Sequence, residues 1–192
     1  MRDHQEDMLQ AIGEPTALKY ESDGGPSLSR IAKVIRENVA EPADSILQLR
    51  DWQMFNYLVG NWDGHAKNLA LLYGKGGSTP KLAPFYDLVA IEFFNAIKSG
   101  VWARKLAFRI GQQDTPEKVT LEDWRLFAKH IGVPANPTID RLGSLAESLP
   151  DVVKEERGAF AEKFGDKAVY DIFERYIRRR CRWVLNQLIG GG

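Results

Sequence analysis

In the stretch NYLVGNWDGHAKN, residues 56–68, an apolar segment runs into a polar cluster in which Asp63, His65, Lys67 and Asn68 fall within six residues. Further on, LAPFYDL sets a lone carboxylate, Asp87, in an otherwise apolar run. These side-chain types together suit phosphoryl transfer. That reaction needs a carboxylate to accept a hydroxyl proton, oxygen ligands to hold magnesium against phosphates, and positive charge to offset what develops in the transition state. Magnesium takes hard oxygen donors, one or two from protein and the rest from phosphates and waters, and an Asn carbonyl with an Asp carboxylate meets that need. Lys67 adds a donor for phosphate oxygens, and His65 can brace the loop or touch a nucleotide.

Spacing sharpens this reading without closing it. Asp63 and Asn68 stand five residues apart, and Asp87 follows 24 residues after Asp63. Protein kinases place a base Asp and a metal-binding Asn at that interval on one loop, with a second metal-binding Asp beyond a hairpin. Other accounts stand beside this one. Asn and Asp-Gly are ordinary turn chemistry. Asp87 could be the N-cap of a helix in LVAIEFF. His65 could be a hydrogen-bonded structural histidine.

The elements that must position these groups are mostly helical. Residues 3–13, DHQEDMLQAIG, are expected to form a short helix stopped by Gly13. Ser27 is placed to cap a helix carrying Leu28, Ile31, Val34 and Ile35. Pro42 and Asp44 break the pattern at 41–45. A buried helix is expected from about Ser45 to Val59, with Ile46, Leu49, Met54, Phe55 and Leu58 apolar, ended by Gly60-Asn61. NLALLY (68–73) and KLAPFYDL (81–88) flank the turn signal GKGGSTP and predict a two-stranded hairpin with a flexible tip. Because its strands run antiparallel, the hairpin can return Asp87 to the end where Asn68 lies. Thr120 and Asp123 form a capping box before LEDWRLFAKHIG. Asn136-Pro137 opens another helix, with Ile139, Leu142, Leu145 and Leu149. A last helix, roughly 166–189, is expected to turn Val169, Ile172, Phe173, Tyr176, Ile177, Val184, Leu185 and Leu188 inward. Arg178, Arg179, Arg180 and Arg182 then make a solvated basic face.

The fold class is therefore mainly α, with one small β-hairpin between the polar loop and Asp87. A single domain over 1–189 and a glycine tail at 190–192 are expected. The 192 residues suffice for a sizeable core. With 26 basic and 26 acidic residues the chain is no generally basic nucleic-acid binder. One cysteine, Cys181, offers no internal disulfide and points to a reducing, cytoplasmic setting. No apolar run approaches the ~18 residues of a membrane span, and MRDHQEDMLQ has no signal-peptide core.

QEDMLQAIG, KYESDGGPS, FNYLVGNWDGHAKNLALL and LAPFYDL, in that order over residues 5–88, resemble successive motifs of the HipA-type serine/threonine kinases, the kinase toxins of bacterial toxin–antitoxin pairs. KLAFRIG and LEDWRLFAKHIGV are similar to a later part of that family, more loosely. The resemblance implies a helical kinase C-terminal lobe. It makes Asp63 the general base, Asn68 and Asp87 the magnesium ligands, and Gln5, His65 and Tyr86 the lining of a nucleotide pocket, with Lys67 assigned to phosphate. ATP and Mg2+ are the implied cofactors. The implied partners are a protein substrate such as an aminoacyl-tRNA synthetase and a helix-turn-helix antitoxin, with DNA reached only through the antitoxin. Family members are more than twice as long and carry an N-terminal, mostly β lobe that clamps the nucleotide. That lobe is expected to lie outside this chain, as a separate polypeptide or a lost part. The contrasting expectation is a catalytically inactive remnant that docks an antitoxin-like partner, and a third is a structural helical domain whose polar motif only closes a turn.

Overall fold

The computed structural model describes residues 4–74, 76, 78–97 and 104–190. The chain opens with strand β1 (His4–Asp7) and passes directly into helix α1 (Met8–Ile12). The expected single helix over 3–13 is thus corrected, with residue 3 outside the described residues. Asp7 is the reason for the change of state. Its carboxylate accepts from the Gln10 backbone and the Gln10 side chain accepts in return from the Asp7 backbone, so helix begins only after it. Gly13 stops α1 in a left-handed conformation, as expected.

α2 (Leu28–Asn38) is capped by Ser27 and buries Leu28, Ile31, Ala32 and Ile35 on one face. α3 (Pro42–Val59) starts three residues earlier than expected, because Pro42 sits in its first turn, where a missing N–H costs nothing. It is the central helix, packed by α2, by α5 (Leu121–Ile131), by α6 (Ala135–Phe164) and by α7 (Ala168–Gly190). It therefore buries Ile46, Leu49, Trp52, Met54, Tyr57 and Leu58 around its circumference.

The hairpin forms from β2 (Ala70–Tyr73) and β3 (Lys81–Leu82), with Leu71 opposite Leu82. It is one strand wider than expected. β1 pairs antiparallel with the free edge of β2, Gln5 opposite Leu72, giving the order β1-β2-β3. β3 ends after two residues, and Pro84, with no N–H to give, lies just beyond. Lys75 and Gly77 of the expected flexible tip lie outside the described residues.

α4 (Ile91–Ile97) follows Asp87 after a short irregular run. α5 carries the Thr120–Asp123 capping box. α6 begins at Ala135 and runs through Pro150, which forfeits the bond to the Ala146 carbonyl. Its longest packing partner is α7. Tyr176, Ile177, Cys181 and Val184 of α7 face the core, but Val169 and Ile172, expected inward, are 37% and 39% exposed, since α7 leaves the core at that end. Gly190, expected in a tail, belongs to α7. No described helix is long and apolar enough to cross a membrane.

The expected basic outer face of α7 needs one correction. Arg180 is 8% exposed, enclosed by the rings of Tyr57, Trp62 and Trp183 at 5.5, 4.9 and 5.6 Å. Its guanidinium donates to Glu92 of α4 at 2.7 Å and to the Tyr57 carbonyl of α3 at 2.9 Å. The last carbonyls of a helix lack helical donors, and here other elements supply them. Tyr57 O takes Arg180, Val59 O takes the Tyr176 hydroxyl at 3.2 Å, and the Gly60 carbonyl takes the Glu92 N–H at 3.0 Å. The end of α3 is thereby pinned by α4 and α7, and from that end the polar loop departs.

Candidate functional site

Gly60 closes α3 in the left-handed region, φ 75°, its N–H returning to the Asn56 carbonyl. A Cβ here would stand 2.2 Å from the Tyr176 hydroxyl and 2.9 Å from the Glu92 Cβ. Only glycine permits both the turn and the close packing of α4 and α7.

Asn61, next in the chain and buried, is the hub of the loop. Its Nδ2 donates to Asn56 Oδ1 at 3.0 Å and to the Asp87 carbonyl at 3.3 Å, while its Oδ1 accepts from the Asp63 N–H at 3.3 Å. One buried side chain thus joins the segment bearing Asp63 to the segment bearing Asp87. The half-buried Asp63 carboxylate receives the Tyr20 hydroxyl on Oδ1 at 2.5 Å. Gly64 packs so closely on α3 that a Cβ would lie 2.9 Å from Asn56 Nδ2. His65 is buried, and the Tyr20 ring meets it edge-on at 5.3 Å. Burial, then the Lys19 ammonium, lowers the His65 pKa against the opposing pull of Asp63 and Asp87, so its imidazole is neutral at pH 7.

Ala66–Asn68 form a single 3-10 turn. Asn68 folds its side chain back, Oδ1 accepting the His65 N–H at 2.8 Å, and its Nδ2 donates to Asp87 Oδ2 at 2.9 Å. Asp87 is the only described non-glycine residue with positive φ, at 57°. That conformation costs an L-residue about 1–2 kcal/mol, and strain of this kind collects where a side chain must be aimed. Here the carbonyl is held by Asn61 and the carboxylate by Asn68. The rival reading of Asp87 as a helix N-cap falls, because α4 starts only at Ile91.

The remaining expected residues frame the same rim. The Tyr86 hydroxyl donates to the Lys67 carbonyl. Burial and then Asp7 raise the Tyr86 pKa, opposed by a hydrogen bond from Gln5 of β1. Lys67 itself is half-buried. The seven expected residues are thus brought to one edge, where the loop after α3 meets the sheet. The sequence reading missed Tyr20, Asn56 and Asn61. Asn61 and Asn56 look like turn and helix polar residues, and only their burial marks them. Tyr20 lies in a motif, KYESDGGPS, that had no role attached.

The buried side-chain polar atoms without a partner among the described residues are Trp52 Nε1, Asn56 Nδ2, His65 Nδ1 and Arg180 Nε.

The donor set fits a magnesium ion. Asn68 Oδ1 has a second lone pair beside the His65 N–H, and the exposed Asp87 carboxylate has Oδ1 to spare once Asn68 holds Oδ2. No group of three or more His, Cys, Asp or Glu forms a metal cage among the described residues. A two-oxygen site of this kind relies on phosphates and waters for the rest of the shell.

A family model, the HipA-like C-terminal domain, matches residues 1–153. The Sinorhizobium fredii protein Y4mE, named as a candidate kinase, is 34% identical over 183 residues, covering 95% of this chain and 42% of its own length. The serine/threonine-protein kinase toxin HipA of Shewanella oneidensis is 28% identical over 167 residues, 81% of this chain and 36% of that protein. A chain of the solved complex of Shewanella oneidensis MR-1 HipA, HipB and their operator DNA has a TM-score of 0.82, covering 99% of this chain and 46% of its own, at 22% identity. That last likeness is one of fold. The chain spans less than half the length of these relatives. With most of its length matched by the family model and a relative above 30% identity over nearly all of it, the chain belongs to the HipA-like C-terminal domain family.

Proposed function

We propose that this chain is the catalytic lobe of a serine/threonine protein kinase, moving the γ-phosphoryl group of ATP to a protein hydroxyl. The observation that carries this is the convergence of Asn68 and Asp87, 2.9 Å apart, with the Asp63 segment tied to the Asp87 carbonyl through Asn61. In this reading Asp63 accepts the proton of the substrate hydroxyl as its oxygen attacks phosphorus. Asn68 and Asp87 would hold magnesium, whose charge would offset that of the phosphates, and ADP is the leaving group. Lys67 faces phosphate oxygens, and Gln5, His65 and Tyr86 line the nucleotide side. The neutral imidazole of His65 is suited to hydrogen bonding there rather than to charge pairing.

Clamping of the nucleotide is assigned to an N-terminal lobe, as a separate chain or as another part of a longer protein. One relative carries the partner reading: HipA of Shewanella oneidensis is named a toxin and was solved in a complex with HipB and operator DNA. A helix-turn-helix antitoxin is accordingly the proposed partner, with DNA reached through it, a cytoplasmic setting, and a protein such as an aminoacyl-tRNA synthetase as substrate.

The test is transfer of label from [γ-32P]ATP to casein by the chain, alone and with the N-terminal portion of Y4mE added, beside Asp63→Ala. Transfer slowed about 10²–10⁴-fold to a small residual rate in Asp63→Ala is expected. Label incorporation unaffected by that substitution removes Asp63 as base. An absence of both transfer and ATP–magnesium binding by calorimetry, with the added portion present, favours the inactive partner-binding module instead.

A further inference from the structure

The motif KYESDGGPS has no part in the chemistry above, yet the fold brings it onto the proposed base. Tyr20 lies between two 3-10 turns, Thr16–Leu18 and Glu21–Asp23. Its phenol reaches Asp63, 43 positions along the chain, at 2.5 Å. The segment is anchored by backbone bonds on every side. Ala66 N–H donates to the Lys19 carbonyl at 3.3 Å, Glu21 N–H to the Ala107 carbonyl at 3.2 Å, and Gly25 N–H to the Tyr20 carbonyl at 3.0 Å. Glu21 Oε2 also accepts the Arg109 N–H at 2.9 Å. Gly25 is needed for this closure, since a Cβ there would stand 2.1 Å from the Leu18 carbonyl oxygen and 2.6 Å from that of Tyr20. The DGG turn therefore closes on Tyr20 itself.

We propose that Tyr20 is a positioning residue for Asp63. Its hydroxyl fixes one carboxylate oxygen so that the other is aimed at the substrate hydroxyl. This rests on the kinase reading above. A carboxylate swivels about its Cβ–Cγ bond unless one oxygen is held, and general-base catalysis demands hydrogen-bond reach to the proton removed. Asp63 is held twice: its backbone N–H by Asn61, and its Oδ1 by Tyr20. Burial first, then the hydrogen bond to Asp63, raise the Tyr20 pKa well above the usual phenol range, so the group stays a donor at every working pH. The edge contact of its ring with His65 and the Lys19 ammonium 4.7 Å from its centroid hold the ring in place. The backbone anchors also argue against a latch that swings away to admit substrate.

The experiment uses the same casein assay with the chain and the added N-terminal portion, comparing wild type, Tyr20→Phe, Asp63→Ala and the double variant. Phenylalanine keeps the ring and removes only the hydroxyl. A bond to a charged group is expected to be worth about ten- to hundredfold in kcat, with the KM for ATP unchanged. Because Tyr20 acts through Asp63, Tyr20→Phe should cost nothing further in the Asp63→Ala background, a non-additivity that a structural role does not produce. A Tyr20→Phe variant as fast as wild type or faster overturns the proposal and leaves the kinase reading standing. So does an equal fold-loss in both backgrounds. A wild type that transfers nothing, indistinguishable from Asp63→Ala, brings down the kinase reading and this proposal with it.

Discussion

Replacing Arg180 by methionine tests whether a buried cation holds the end of α3 and so the platform of the site. The substitution keeps the stem's apolar packing and removes the charge. It deletes the bond to the Tyr57 carbonyl, a hydrogen bond to a charged group worth about 1.5–3 kcal/mol. It also deletes cation–π contact with three rings, about 1–2 kcal/mol in a desolvated setting. The ion pair with Glu92, whose side chain is 31% exposed, counts for little, because desolvation of Arg180 nearly offsets its attraction. Recovered desolvation and the methionine side chain return part of the loss, leaving a net cost of about 3 kcal/mol. For a 192-residue chain that is a fall of roughly 6–12 °C in melting temperature. Urea unfolding and calorimetry measure both quantities. Glu92→Gln, which leaves the guanidinium its other partners, should cost about 1–2 kcal/mol. The double variant should fall short of the sum by at least ~0.5 kcal/mol, since both changes remove one interaction. Arg180→Met within about 1 kcal/mol of wild type, or strict additivity, would refute the argument that this residue caps α3 from within the core.

Three further expectations follow from the same geometry. Gly60→Ala combines left-handed strain with overlap on Tyr176 and should cost at least ~1 kcal/mol more than Gly24→Ala, where φ is 90° but nothing lies within 4 Å; equal urea midpoints would show that the close packing carries no weight. Asp87→Asn should leave the melting temperature of the metal-free protein within about 2 °C of wild type, since its side-chain oxygen still accepts from Asn68 and the residue is exposed. Asp87→Asn should also abolish the rise that magnesium with ATP gives the wild type, and a wild-type melt indifferent to both ligands contradicts the metal assignment. The Cys181 thiol, its pKa pushed by burial up to about 11 from 9.0, should resist Ellman's reagent at pH 8 until the chain is unfolded. Because that pKa is raised, its contribution to stability is complete below pH 9 and is lost as pH rises through 11, a decline that Cys181→Ala should lessen in alkaline melts.

Much of the frame was legible in the chain because local chemistry governs it. Ser27, the Thr120–Asp123 box and the left-handed glycines at 13 and 60 each act within three or four residues, so their outcomes are written where they stand. The return of Asp87 to Asn68 was also readable, since an antiparallel hairpin forces its two ends together. β1 was not, because HQED is polar and becomes a strand only when the edge of β2 supplies its hydrogen bonds. The inward turn of Arg180 escaped a pattern reading for the same reason. A basic run reads as solvated until three aromatic rings and Glu92, brought from elsewhere in the chain, enclose one of its members.

The amino-acid order alone determined which residue types gather around the loop and at what intervals, because spacing along helix, turn and hairpin is a local property. Tertiary structure alone decided how they are aimed. The Tyr20 hydroxyl on Asp63, the Asn61 side chain between Asp63 and Asp87, and the left-handed Asp87 itself depend on segments 19 to 43 residues apart being held at hydrogen-bond distance by packing that no short stretch of sequence encodes.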